Sequence, residues 1–326
     1  MRTSARIPHY WKHRSVSTLG DIRAHYGASL ASSYVQIAVL AIRRIISVKD
    51  FGCLKLILLT PLMYTVGFRG IVETGRGRMR SQNRQELRAI MYSTFKTHFC
   101  YLRRLAKLSN GNGTFSVVVD VGANAGDFTI GVSDRSGKVI AIEPGQANFS
   151  RLQSNIKENH LNNVRVEKCA AHDRDEQVVL EGMNSDLRVT SGFGETADGI
   201  RLDVLLSKHE IDEVDLIKID VQGHEEHVIS GLRNTLENGR IKLAIVELHP
   251  KRGVSRIAVI KRMKSLGYRP VLEDKYLFGQ TQLYFELKPQ GHSGLEDSNP
   301  ISFDAQGLPD PTLESRLNLG VPTTQL

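Results

Sequence analysis

Three features of this chain predict an α/β domain with a doubly wound, mostly parallel sheet, preceded by a helical N-terminal extension. Between residues 111 and 289, short apolar runs of strand length alternate with segments at helical spacing. The first of these runs ends in a glycine loop. The second ends in an acidic residue, Glu143, about 20 positions beyond those glycines.

Residues 1–110 hold 19 Lys/Arg against 4 Asp/Glu, a balance of +15, whereas the whole chain carries only +8. The excess positive charge therefore lies entirely in this region, which is expected to meet an anionic surface: phosphate, acidic glycan or membrane headgroups. Its apolar stretches, 28–42 and 56–68, are shorter than the ~18–20 residues that span a bilayer. Arg43, Arg44, Lys49 and Asp50 follow the first, and Pro61 breaks the second. Helices packed on the following domain are expected, with a helix lying on a membrane surface as the sharper alternative. The opening residues show no secretory leader, and Cys53, Cys100 and Cys169 are odd in number and far apart. A cytoplasmic protein without disulfides, peripheral to a membrane if residues 1–110 touch one, is the expectation.

In the central domain, 111–289, strands are expected at 117–121, 138–142, 164–167, 178–180, 215–220, 241–247 and 284–287. Helices are expected at 146–158, where Phe149, Leu152 and Ile156 recur at helical spacing, and at 202–208, 225–236 and 257–266. Residues 290–326 carry four prolines, few large apolar groups and one basic residue, and read as a disordered tail.

Ligands of an open parallel sheet bind beyond the carboxyl ends of its strands. The loop Asp120-Val-Gly-Ala-Asn-Ala-Gly126 leaves the first strand there. Gly122 and Gly126 admit a close backbone approach, and Asp120 and Asn124 are polar neighbours in the same loop. The spacing is neither the dinucleotide fingerprint nor a P-loop. Glu143, at the end of the next strand, can accept ribose hydroxyls. A glycine loop followed by this acid indicates a ribose-bearing cofactor. A nicotinamide dehydrogenase would want the dinucleotide glycines and a hydride-site pair such as Tyr-x-x-x-Lys, and neither is present.

The residues that carry a family resemblance run in order along this domain. They are Val119-Asp-Val-Gly-Ala-Asn-Ala-Gly126, Val139-Ile-Ala-Ile-Glu-Pro144 with Phe149, Leu152 and Asn155, Arg201-Leu-Asp203, the block from Val214 to Glu225, Val228-Ile-Ser-Gly231 and Ile245-Val-Glu247. In these the chain resembles the FkbM family of S-adenosylmethionine-dependent methyltransferases. The resemblance implies a Rossmann-like class I methyltransferase fold and S-adenosylmethionine as cofactor. It also implies O-methylation of a sugar, glycolipid or other small-molecule hydroxyl. One position departs: the family usually has glutamate where this chain has Gln222. That departure keeps open a non-catalytic module that binds S-adenosylmethionine or an anionic surface.

Methyl transfer to a hydroxyl needs donor and acceptor held in line and a place for the hydroxyl proton. Asp220, His224 and Glu225 follow the strand expected to end nearest the transferable methyl. His224 is the candidate base because it titrates near neutrality, with Asp220 the second catalytic candidate. Glu225 and Glu247 are expected to line the acceptor site, and His249 is read as a second pocket or turn residue. No metal centre is expected: the histidines do not recur at ligand spacing beyond Asp220/His224 and His224/His227. Asp220 and Glu247 are the carboxylates that a magnesium-assisted transfer would use. A nucleic-acid methyltransferase would explain the basic region, but Asp220-Val-Gln-Gly lacks the aromatic residue that stacks on a base, so no nucleic acid partner is expected.

Overall fold

Alternate residues of a strand face opposite sides of the sheet, and in this chain both sides are apolar. The computed structural model describes residues 114–182, 186–275, 281–288 and 301–303, with parts of 63–105. In chain order its strands are β1 (Gly70–Glu73), β2 (Arg78–Ser81), β3 (Phe115–Val121), β4 (Ser136–Ile142), β5 (Val164–Glu167), β6 (Ala170–Ala171), β7 (Glu176–Glu181), β8 (Arg188–Thr190), β9 (Glu195–Ile200), β10 (Val214–Ile219), β11 (Ile241–Leu248), β12 (Tyr268–Lys275), β13 (Thr281–Leu287) and β14 (Ile301–Phe303). The helices that concern the site are α1 (Asp127–Ser133), α2 (Gln146–Glu158), α3 (Leu202–Lys208), α4 (Glu225–Gly231), α5 (Arg233–Glu237) and α6 (Arg256–Ser265).

The main sheet has the order β14-β12-β13-β11-β10-β3-β4-β5. Strands β11, β10, β3, β4 and β5 are mutually parallel, and β13 runs antiparallel between β11 and β12. Val119, Val121, Ile140, Ile217, Ile219 and Val246 bury one face under α3, α4 and α6. Val118, Val139, Leu216, Leu243 and Ile245 bury the other, against Phe128 and Val132 of α1 and Tyr284. This is the doubly wound, mostly parallel sheet that the strand–helix alternation predicts. Strand order reverses between β3 and β10, so the crevice for a ligand opens there, at their carboxyl ends.

Several elements differ from the sequence expectation, each for a local reason. The expected strand at 178–180 is real but does not join the main sheet. It is β7, which pairs antiparallel with β8 and β9 in a separate sheet of order β6-β9-β7-β8. The helix expected over 225–236 is interrupted at Leu232, because the Asp203 carboxylate takes the N–H groups of Asn234 and Thr235 and starts a new helix, α5. Strand β12 escapes sequence reading because it contains Pro270, a residue that argues against a paired strand. The chain accommodates it at a register shift between Pro270 and Leu272. Within the region expected to be helical, β1 and β2 form an antiparallel pair whose Val72 and Met79 are buried. The apolar stretch 28–42 and most of 56–68 lie outside the described residues. So does the C-terminal tail apart from Ile301–Phe303, which pairs parallel with β12. Among the described residues, no helix is long and apolar enough to cross a membrane.

Candidate active site

A pocket opens over the β3–β10 switch, walled by Gly122, Asn124, Glu143, Asp220, Gln222 and Glu247, with His224 at its rim. The loops that form it touch one another. Gly122 has φ +80°, and a Cβ there would lie 1.9 Å from the Asp220 carbonyl oxygen, so only glycine lets β3 and β10 end this close.

Glu143 is buried at the end of β4. Its Oε2 accepts the Asn124 N–H at 2.8 Å, and its Oε1 accepts the Gly145 N–H and the Asn148 amide, each at 3.1 Å. Burial raises its pKa, and these three donors pull back against that shift. A carboxylate has about four acceptor positions, so Glu143 keeps one, on Oε2, for a ligand hydroxyl. The sequence expectation that it takes both ribose hydroxyls is therefore reduced to one. Removing the carboxylate should also loosen the glycine loop it ties down. Glu143→Ala is expected to weaken S-adenosylmethionine binding by about 1.5–3 kcal/mol, read by calorimetric titration. Affinity equal to that of the parent protein would remove Glu143 from the cofactor site.

Asp120 and Gly126, expected beside the cofactor, stand behind the pocket wall. Asp120 is fully buried, accepts the Thr129 hydroxyl at 2.7 Å and pairs with Lys218 Nζ at 3.1 Å. Lys218 is its cross-strand partner on β10, so the pair fastens the two strands that carry the site. Gly126 caps α1 with φ 94°, and a Cβ there would lie 2.6 Å from Leu152 Cδ1. Its role is packing of α1 on α2.

The acidic end of the pocket is built from β10, β11 and the start of α4. Asp220 Oδ1 accepts from Gln222 Nε2 at 3.3 Å and lies 3.6 Å from His249 Nε2. Glu247 Oε1 lies 3.7 Å from the same nitrogen, while its Oε2 accepts from Gln282. Glu225, expected in the acceptor wall, is fully buried behind it. It takes the Gly223 N–H at 3.1 Å and holds His249 Nδ1 at 2.7 Å, fixing that ring. Burial would lower the His249 pKa, but the Glu225 hydrogen bond and the charges of Asp220, Glu225 and Glu247 together outweigh it and raise the pKa. Sequence reading named these four residues but could not join them, because it cannot show that Glu225 and His249, 24 positions apart, meet.

His224 behaves differently. Burial, reinforced by the neighbouring His227 and His172 rings, lowers its pKa to about 3. A ring this reluctant to hold a proton is a weak base at neutral pH. Asp220, the second candidate, stands in the pocket wall between Gln222 and His249.

Residues 120–270 match the family described as Methyltransferase FkbM domain. The chain is 26% identical to the 31-O-demethyl-FK506 methyltransferase FkbM of Streptomyces tacrolimicus, an alignment covering 60% of this chain and 86% of that protein. It is 28% identical to the hexuronic acid methyltransferase AglP of Haloferax volcanii over 41% of this chain and 56% of that protein. Among solved structures, it aligns with the magnesium protoporphyrin IX methyltransferase of Synechocystis at a TM-score of 0.42 and 13% identity, covering 64% of this chain and 86% of the other. The glycine loop, the acid at the end of β4 and the block after β10 stand in one pocket within the matched residues. The family match and both relatives support an FkbM family methyltransferase over residues 120–270, a domain for which S-adenosylmethionine is the cofactor.

Proposed function

We propose that this methyltransferase O-methylates a hydroxyl of a sugar, glycolipid or other small molecule, with Asp220 as the proton acceptor. The observation that carries this reading is the acidic end of the pocket, where Asp220 and Glu247 flank the buried His249 Nε2 at 3.6 and 3.7 Å. The Streptomyces and Haloferax relatives are named for 31-O-demethyl-FK506 and for hexuronic acid, which agrees with methylation of a small molecule, at oxygen in the first case.

When bound, S-adenosylmethionine supplies a methyl group on a positively charged sulfur. Glu143, Gly122 and Asn124 would hold it, and Glu247 would face the acceptor. The pocket would hold the acceptor oxygen in line with that methyl, so that the new oxygen–carbon bond would form as the carbon–sulfur bond gave its electrons back to sulfur. The hydroxyl proton goes to the Asp220 carboxylate, so the step balances without a further reactant. Once protonated, His249 would offset the negative charge of Asp220 and Glu247 while the acceptor is empty. The experiment is a panel of sugar and small-molecule hydroxyl acceptors with isotopically labelled donor, read by mass spectrometry for a methyl ether.

Gln222 fits a working site better than a dead one. Its amide donates to Asp220, whereas a glutamate there would set a second carboxylate against it. Gln222→Glu is expected to raise the pKa of Asp220 and shift the acidic limb of the kcat–pH profile upward. An unshifted limb would mean that Asp220 does not govern that limb.

The +15 balance of residues 1–110 supports a further part of the reading, contact with an anionic membrane surface or an acidic acceptor. Co-sedimentation with anionic vesicles is expected at low salt and is expected to fall at high salt, as exposed charges are screened. Equal recovery with neutral and anionic vesicles would leave packing as the role of this region.

A further inference from the structure

We propose that His172, His224 and His227, with the Asp173 carboxylate, form a binding site for a divalent transition cation of the zinc class. The site stands beside the acceptor pocket and does not depend on the methyl-transfer reading. No metal was expected from sequence, because His172 lies 52 positions from His224 and only the fold joins them. His172 follows β6 of the small sheet, while His224 and His227 straddle the start of α4. Gly231, the last residue of α4, makes the approach achievable. A Cβ there would lie 1.9 Å from the His172 carbonyl oxygen.

The geometry suits a metal. The three histidines offer one nitrogen each, all within 4.8 Å of one another. His224 Nε2 and His172 Nδ1 are 3.1 Å apart. Bonds of roughly 2.0–2.1 Å in a tetrahedral site place donor atoms about 3.3 Å from one another, so small side-chain rotations close the set. The His224 and His227 rings are stacked, with centroids 4.1 Å apart and 7° between planes, so one of them, the half-exposed His227, must turn for both lone pairs to meet a shared ion. Nitrogen donors with a single carboxylate favour zinc, cobalt or nickel over magnesium or calcium, which want oxygen.

The hydrogen-bond accounting points the same way. His172 Nε2 lies 3.1 Å from Glu176 Oε1, the carboxylate contact that metal-binding histidines usually make with their other nitrogen. With the proton on Nε2, one of the two neutral tautomers, Nδ1 is a bare acceptor that His224 Nε2 can also meet as a donor at 3.1 Å. Yet it faces Asp173 Oδ1 at 3.0 Å, and Asp173 Oδ2 also reaches His227 Nδ1 at 3.1 Å. A bare nitrogen and a carboxylate oxygen at that distance repel unless positive charge offsets them, and the Arg174 guanidinium, 3.3 Å from Asp173 Oδ1 but 63% exposed, provides only a solvent-screened part of that charge. A cation held by Asp173 and the three rings supplies it. The rival occupant is a second proton on His172.

The test uses the full-length chain without a histidine tag, stripped with a chelator and titrated with Co²⁺. One Co²⁺ per chain is expected, with the visible absorption of a four-coordinate ion and displacement by Zn²⁺. The His227 side chain is 47% exposed, so its removal leaves the core intact. His227→Ala and Asp173→Asn are each expected to weaken Co²⁺ binding by roughly 10–100-fold or more, with unchanged circular dichroism. Absence of bound Co²⁺ would overturn the proposal and leave the proton on His172. Binding that both variants retain at parental affinity would also overturn it, and would move the ion to Asp220, Glu247 and His249, the other group of ligand-type side chains within reach of one another.

Discussion

Asp220→Asn is expected to lower kcat by about 10²–10⁴-fold, the usual contribution of a positioned proton acceptor. The asparagine keeps the shape and can still meet Gln222, so the pocket should stand. What it loses is the capacity to take the hydroxyl proton. S-adenosylmethionine affinity should change far less than turnover, because the described contacts of Glu143 do not involve Asp220. Stopped-assay kinetics beside calorimetric titration separates the two. Turnover within a few-fold of the parent protein would assign catalysis to positioning alone. An equal loss in both would make Asp220 a cofactor contact instead.

Lys218→Met is expected to destabilise the protein by about 3–5 kcal/mol, because it strands the buried Asp120 carboxylate with only the Thr129 hydroxyl. Domains are stable by roughly 5–15 kcal/mol, so this single change would remove a large share. The methionine fills nearly the same volume and lies near the Phe128 ring, 5.6 Å from the present ammonium, so loss of packing is not the main term. Urea unfolding of Lys218→Met, Asp120→Leu and the double variant would form a closed cycle. The double variant is expected to recover much of the loss, apart from the 3.7 Å contact that Lys218 also makes with Asp220, since neither Asp120 nor Lys218 is then left alone. A Lys218→Met cost below about 1 kcal/mol would show that the pair does not tie β3 to β10.

The sequence was most legible where burial is two-sided. Runs such as Val117–Val119 and Leu216–Ile217 are apolar at consecutive positions because both sheet faces are covered, and that pattern marks them as central parallel strands even though Asp120 and Lys218 interrupt it. The glycine loop was legible for a related reason: a backbone that must pass within van der Waals reach of Asp220 tolerates no Cβ at Gly122. Glu143 and Asp220 followed from the rule that ligands meet strand ends. Asp120 misled because a carboxylate beside a glycine loop looks the same whether it faces a cofactor or a buried lysine. Only the register that sets Lys218 opposite Asp120 decides between them. The Glu225–His249 contact and the His172 cluster were beyond sequence reading because their meaning is pairwise. His224 departs from its near-neutral expectation for the same reason, since burial against two other imidazoles lowers its pKa.

The most direct measurement is transfer of a labelled methyl group from S-adenosylmethionine to hydroxyl-bearing acceptors, with the site of methylation read by fragmentation mass spectrometry. The account predicts a methyl ether on one acceptor oxygen, formed by the parent protein and almost absent with Asp220→Asn. Methylation at nitrogen or carbon, or a methyl ether formed as fast by Asp220→Asn as by the parent protein, would contradict it.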